Sequence, residues 1–284
     1  ITDPESGCFH KGEKEKCFAY THQVFCDKNG FVLAKTTTPG NVHDSVAFFE
    51  AYNTLNKKFK DQIKNVCLDA GYVNPVICRE IILNGHTPLM PYKRPMTSKE
   101  FFKKYEYAYD EYYDCYICPN NEVLSYSTTD KNGYKQYKSN PDKCANCPLK
   151  DRCTKSKNHQ KIILRHIWEE YKEQANENRY TQNWKDNYPK RKETIERVFG
   201  DCKEQHNLRF TRIRGLLKNE QNTTLIFACH NLKKMANWRW KKPSNQPLIM
   251  STFIKISKLF KKRGIFLFEH ASLSTTWKPY FIRL

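Results

Sequence analysis

The chain has 284 residues, 39% hydrophobic and 14% aromatic, with a mean hydropathy of −0.81. It is too aromatic for a disordered chain, and no apolar stretch approaches the roughly 20 residues of a membrane-spanning helix. Lys and Arg number 49 against 30 Asp and Glu, and +15 of the net +19 falls after residue 183; so uneven an excess points to a polyanion, nucleic acid before membrane.

Residues 1–16 are polar, with turn formers at Asp3-Pro4 and Gly7. The chain begins at Ile1 without a signal-peptide pattern, which reads as a start after processing or inside a longer protein. Two β-rich runs, Cys17 to Cys26 and Phe31 to Thr38, flank Asp27-Lys28-Asn29-Gly30 and predict a hairpin. Asp44 or Ser45 can cap a helix running to about Lys58, with Val46, Phe49 and Leu55 as its apolar positions. Residues 64–69 read as a short buried strand ending in Asp69, followed by a turn, a helix opened by Pro75 and another strand near 87–91. This β–turn–α–β order predicts an α/β layer.

From about 92 to 183 tyrosines are dense and apolar periodicity is low, which predicts a small module held by something other than a large core. Its cysteines read Cys115-x2-Cys118, then Cys144-x2-Cys147, then Cys153. Each CxxC can set two thiolates on one turn at a tetrahedral metal, so the pattern favours structural zinc. Free buried cysteine and an iron–sulfur cluster are the alternatives. The other seven of the twelve cysteines are scattered, as in a reduced cytoplasmic protein.

Arg191 to Gln205 reads as a helix, with Ile195, Val198, Phe199 and Cys202 forming one apolar stripe. Glu196 lies at the edge of that stripe, with Lys192 four residues before it and Lys203 seven after. Such a carboxylate is either part of an exposed ion-pair ladder or a metal ligand between phosphate-binding lysines. Asp69 has the same two readings: a loop aspartate that caps the next segment, or a ligand at a strand end.

Taken together the motifs resemble the bacterial insertion-sequence transposases of the DDE type, in the branch with a cysteine-rich insertion. The resemblance covers about residues 1–240 and rests on residues 3–20, TPGNVHDS (38–45), LDAGY (68–72), the cysteine pattern, and residues 191–216. It implies a ribonuclease-H-like α/β fold, a mixed sheet with flanking helices. The expected divisions are 1–91 for the first part of that domain, 92–183 for the zinc-binding insertion, 184–242 for the helical part and 243–284 for a basic tail.

The resemblance implies Asp69 and Glu196 as the second and third acids, holding Mg²⁺ or Mn²⁺. Lys192, Arg197, Lys203, Arg209, Arg212 and Arg214 are expected to grip double-stranded DNA. Metal-dependent cleavage and strand transfer follow, by a protein that acts as a homo-oligomer on transposon ends and target.

In the family the first acid lies on a strand before the hairpin. Asp3, Asp27 and Asp44 are poor substitutes, being a turn residue, a hairpin-turn residue and a helix cap. The first catalytic strand is therefore expected to be missing, leaving the chain inactive alone and open to pairing with a separate N-terminal segment. The rival expectation is a non-catalytic, DNA-binding zinc-module remnant of a transposase.

Overall fold

The computed structural model describes residues 3–11 and 15–240. The tail from 243 lies outside the described residues. The chain divides into two units, Ile1–Ala228 and Cys229–Leu284. The described part of the second is the end of one long helix. No helix among the described residues is long and apolar enough to cross a membrane.

The first layer is a three-stranded antiparallel sheet of β1 (Gly7–Lys11), β2 (Glu15–Cys26) and β3 (Val32–Pro39). The predicted hairpin is there, and its turn is fixed by Asp27. Asp27 Oδ1 accepts from the Asn29 and Phe31 amides at 2.9 and 2.8 Å, while Gly30 supplies a φ of +80°. Pro39 closes β3 opposite Tyr20. The Gly40 amide donates to Ala19 O at 2.9 Å, so Tyr20 and Pro39 form a non-hydrogen-bonded pair, where the missing N–H of proline loses nothing. Strand β1 lies within the segment read as polar turns. It is short, and it extends the line of β3 along β2, pairing Gly7 through Lys11 with Ala19 back to Glu15.

Helix α1 (Asp44–Phe59) covers one face of this sheet. Its cap is His43, not Asp44 or Ser45: the His43 ring accepts from the Ser45 amide, and Asp44 turns to accept from Gln23 Nε2 at 2.7 Å. The buried stripe is Ala47, Phe48, Ala51, Tyr52 and Leu55, spaced for one helical face, and Val46 is exposed.

Next comes the expected β–α–β unit: β4 (Asn65–Cys67), α2 (Pro75–Leu83) and β5 (Thr87–Leu89), with β4 and β5 parallel. Asn74 caps α2 by accepting from the Val76 amide, and Pro75 takes the first turn, where its missing N–H is harmless. Phe48, Tyr52, Val66, Leu68, Ile77 and Ile81 form the largest core, and the Tyr52 hydroxyl meets His86 Nδ1 at 2.7 Å inside it. The hairpin and β4 were expected in one mixed sheet. Among the described residues they belong to separate sheets.

The cysteine-bearing segment carries a core of its own. Strands β6 (Ala108–Asp110), β7 (Cys115–Ile117), β8 (Val123–Thr129), β9 (Tyr134–Ser139) and β10 (Ile162–His166) form an antiparallel sheet. Two short helices, α3 (Pro141–Ala145) and α4 (Lys150–Cys153), link β9 to β10. Phe102, Tyr107, Tyr116, Leu124, Tyr137 and Ile163 pack as its core. Helix α5 (Glu169–Glu177), which the sequence grouped with this segment, packs Ala175 and Tyr171 into the first core instead.

Helix α6 runs from Gln182 to Gln205, nine residues earlier than the stripe alone suggested. Thr181 caps it by accepting from the Trp184 amide, and the helix passes through Pro189. Helix α7 (Leu216–Trp240) follows. Val198 and Cys202 of α6 and Phe227 of α7 form a third core with Val24 and Val32 of the hairpin. The hairpin is thus covered by α1 on one face and by α6 and α7 on the other.

Candidate functional site

Strand β4 delivers Asp69 two residues past its end. There the aspartate caps a single helical turn, Ala70–Tyr72, with Oδ1 accepting from the Gly71 amide at 2.9 Å. Residue 71 is held close: a Cβ added there would stand 3.2 Å from that oxygen. One carboxylate oxygen is thus engaged locally, as the plain reading of a capping aspartate expected.

Glu196 projects from α6 beside the buried Val198 and is itself exposed. Although distant in sequence, Asp69 and Glu196 line the same cavity, whose volume is about 660 Å³. Its walls are residues 22–28 of β2 and the turn after it, residues 62–69 through β4, and the Asn187 to Phe199 face of α6.

Tyr72 also lines the cavity. Burial, then the charges of Asp44 and Asp69, push its phenol pKa up, so it stays a neutral donor, and its hydroxyl donates to Gln23 Oε1. Gln23 in turn donates to Asp44, which ties the site floor to the start of α1.

Arg191 is the residue the sequence reading missed. It lines the cavity, whereas Lys192 next to it is exposed and does not. Its guanidinium lies near Cys67, Tyr72 and Tyr188, lowering each of their pKa values against the larger effect of burial, which raises them. The signal was present: Arg191 precedes Ile195 by four positions and therefore shares the inward face. Lys190 also lines the cavity.

The three alternative acids are engaged elsewhere. Asp3 Oδ2 accepts from the Tyr20 hydroxyl at 2.9 Å and the Gly215 amide at 3.1 Å. Asp27 reaches the cavity wall but serves its own turn, and Asp44 holds Gln23.

The expected DNA-binding residues fall into two groups. Lys192, Arg197 and Lys203 are exposed on α6; Arg209, Arg212 and Arg214 are exposed in the segment between α6 and α7. Arg209 pairs with Glu204.

None of the twelve cysteines is joined in a disulfide. Cys115 is buried in β7 opposite Ser125, where burial and then Asp110 and Asp114 raise its pKa. Cys118 and Cys153 both pack on the tyrosine core. The Glu122 amide donates to Cys118 Sγ at 3.4 Å, and the Tyr107 hydroxyl meets Cys153 Sγ at 3.2 Å. Burial first, and then the neighbouring Cys144 and Cys118, raise the Cys153 pKa. Even so, among the described residues no group of three or more His, Cys, Asp or Glu side chains is gathered as a metal ion requires. That holds for the cysteines and for the carboxylates alike.

No curated protein and no solved structure matches the chain. Residues 117–236 match the family model described as "Transposase DDE domain", a span that includes Cys118 through Cys153 and Glu196 but not Asp69. The motif order and this match agree, and the chain carries a transposase domain of the DDE type.

Proposed function

We propose that the chain belongs to an insertion-sequence transposase that cleaves transposon ends and joins them to target DNA, with Asp69 and Glu196 as two of its three acids. The observation that carries this reading is that both carboxylates line one cavity, one from a strand end and one from a helix. Lys190 and Arg191 on the same wall favour an anionic substrate there. The exposed cations of α6 and of the segment after it provide the sequence-independent grip on DNA phosphates.

A magnesium or manganese pair, when bound, would supply the clamp on attacking and leaving oxygens that in-line phosphoryl transfer uses. The oxygen donors suit such ions, but two carboxylates do not make the set, and no three gather among the described residues. The chain's own residues bind and orient the backbone, and the chain alone does not cut.

Structural zinc in the 92–183 segment rests on the clustering of cysteines there: Cys118 of the first CxxC, both cysteines of the second, and Cys153. Cys118, Cys144, Cys147 and Cys153 are the four we assign to it, because Cys118 and Cys153 pack on one core and Cys144 and Cys118 both lie near the Cys153 thiol. Cys115 faces Asp110 and Asp114 instead.

The test is a nicking assay on transposon-end DNA with Mg²⁺ or Mn²⁺. Residues 1–284 alone should bind DNA without cutting it. Adding a segment that carries the first acid should start cleavage, and Asp69→Ala or Glu196→Ala should abolish it. A chain that stays silent even so is the DNA-binding remnant. Strong cleavage by residues 1–284 alone, lost in Asp69→Ala, would overturn the incomplete-triad reading and turn attention to Asp3, Asp27 and Asp44.

A further inference from the structure

Residues 206–215 join α6 to α7 with no helix or strand of their own. The connection is nevertheless fixed at both ends. Asn207 takes a φ of +57°, which Asn tolerates, and turns the chain so that the Leu208 amide donates to Cys202 O at 3.0 Å. The Leu208 side chain packs against the third core. At the other end Asn219, only 2% exposed, reaches back from α7. Its side-chain nitrogen donates to Ile213 O and Gly215 O, both at 2.9 Å, and its Oδ1 accepts from the Thr211 hydroxyl at 2.7 Å. One buried side chain thus sets the backbone of residues 211–215.

Between these anchors stands Phe210, 74% exposed. A single exposed apolar side chain is ordinary; its company here is not. Arg209, Arg212 and Arg214 are exposed on the same fixed segment. A protein partner that buried the ring would have to take in these guanidiniums too, and charge is depleted at the centre of protein interfaces. A nucleic acid satisfies both kinds of group, with phosphates for the cations and base faces for the ring.

Arginines on phosphates position a protein without reading sequence. An apolar ring held among them acts on the base stack instead. Apolar wedges enter between base pairs from the minor groove, unstack one step and kink the duplex. The cost depends on the step: pyrimidine–purine steps open easily and A-tracts resist. Because the fold already holds the segment, little ordering is left to be done when DNA arrives.

We propose that Phe210 is a wedge that enters the minor groove of duplex DNA and kinks it at an easily unstacked step, supplying a sequence preference that the arginines around it cannot. This rests on the DNA-binding reading above and holds whether or not the chain cuts.

The test uses the full 284-residue chain and two duplexes of equal length, one with a central run of alternating T and A, the other an A-tract, each with a dye pair at its ends. The chain should kink the alternating duplex, raising energy transfer between the dyes, and bind it several-fold more tightly than the A-tract. Phe210→Ala should remove the kink and lower affinity for the alternating duplex about tenfold, as the loss of one aromatic–base stack would, with the salt dependence of binding unchanged. Arg212→Ala should do the reverse, flattening the salt dependence and keeping the step preference. Phe210→Trp should retain both kink and preference. Equal binding of the two duplexes by the parent chain, or a Phe210→Ala chain that kinks DNA as the parent does, overturns the wedge and leaves DNA binding standing. Binding to neither duplex overturns the DNA-binding reading and the wedge with it. If Phe210→Ala lowers the sedimenting mass of the free chain and spares the preference, the ring belongs to a contact between copies and the proposal falls.

Discussion

Tyr137 donates a 2.6 Å hydrogen bond to Asp114 from the middle of the tyrosine core. Tyr109 donates to the same oxygen at 2.8 Å, and Lys135 to the other oxygen at 2.9 Å. Asp114 sits at a φ of +46°, a conformation that Asp and Asn tolerate better than most residues. Burial acts to raise its pKa, but the three donors outweigh it and hold the carboxyl at about 2. A depressed carboxyl contributes stability above its unfolded value of 3.8, and that contribution fades as pH falls toward 2.

Asp114→Asn should therefore destabilise this sheet at pH 7 by about 1–2 kcal/mol, a figure already reduced for its partial exposure. Near-ultraviolet circular dichroism of the tyrosines during urea unfolding measures it. The difference between variant and parent should shrink between pH 4 and pH 2. A gap unchanged at low pH would mean that the charge is not what matters.

Glu169 joins the tyrosine-rich sheet to α5. Its carboxylate is buried and takes Lys104 at 3.0 Å and Lys172 at 2.8 Å. Burial opposes its charge, yet the two lysines prevail and lower its pKa. Removing the charge leaves Lys104 in a site where burial already pulls its own pKa down. Glu169→Gln should cost about 1–3 kcal/mol, with the lysines' exposure taken into account. The sign again gives a penalty present above the unfolded value of 4.5 and lost below it. Denaturant melts of the variant at pH 7 and pH 3.5 check both parts.

The hairpin was legible because its turn chemistry is local: Asp27 and Gly30 fix it whatever surrounds them. The β4–α2–β5 unit was legible for the same reason, through Asn74, Pro75 and the short apolar runs. Strand β1 was not, since five polar-flanked residues gain their structure only from the β2 edge they join. The start of α6 was hidden because Pro189 and Tyr188 resemble a boundary, whereas the true cap, Thr181, lies two turns earlier. In the tyrosine-rich segment period-two alternation is blurred, because most of β8 is exposed on both faces. Asp69 and Glu196 were singled out by motif, but their common cavity required the fold. Arg191 was overlooked in favour of Lys192, its exposed neighbour.

Zinc content separates the cysteines. Protein purified without added metal should carry about one zinc per chain if the pairs bind it. Cys118→Ser and Cys153→Ser should each lower that content markedly and loosen the tyrosine core both thiols pack against. Cys115→Ser should leave it unchanged, since that thiol sits in β7 beside Asp110 and Asp114. Equal loss from all three would put Cys115 among the ligands. No zinc at all would remove the site, and a brown protein would move the assignment to iron–sulfur.

DNA affinity should report on the exposed cations of α6. Each phosphate neutralised releases counterions, so the logarithm of the binding constant falls with the logarithm of salt by about 0.9 per contact. Lys192→Ala, Arg197→Ala and Lys203→Ala should each flatten that slope by about one contact, and the triple variant by roughly three. Arg209→Ala should do less, because its guanidinium is already paired with Glu204 and that bond must be given up to reach a phosphate. Arg191→Ala should behave differently again. Its side chain lines the cavity with Asp69 and Glu196, so its loss should weaken cleavage by the completed protein more than it weakens binding. Filter binding at 50 to 200 mM salt, set beside the nicking rate of each variant, distinguishes the three behaviours. A slope indifferent to all three α6 substitutions would place the DNA on another face of the molecule.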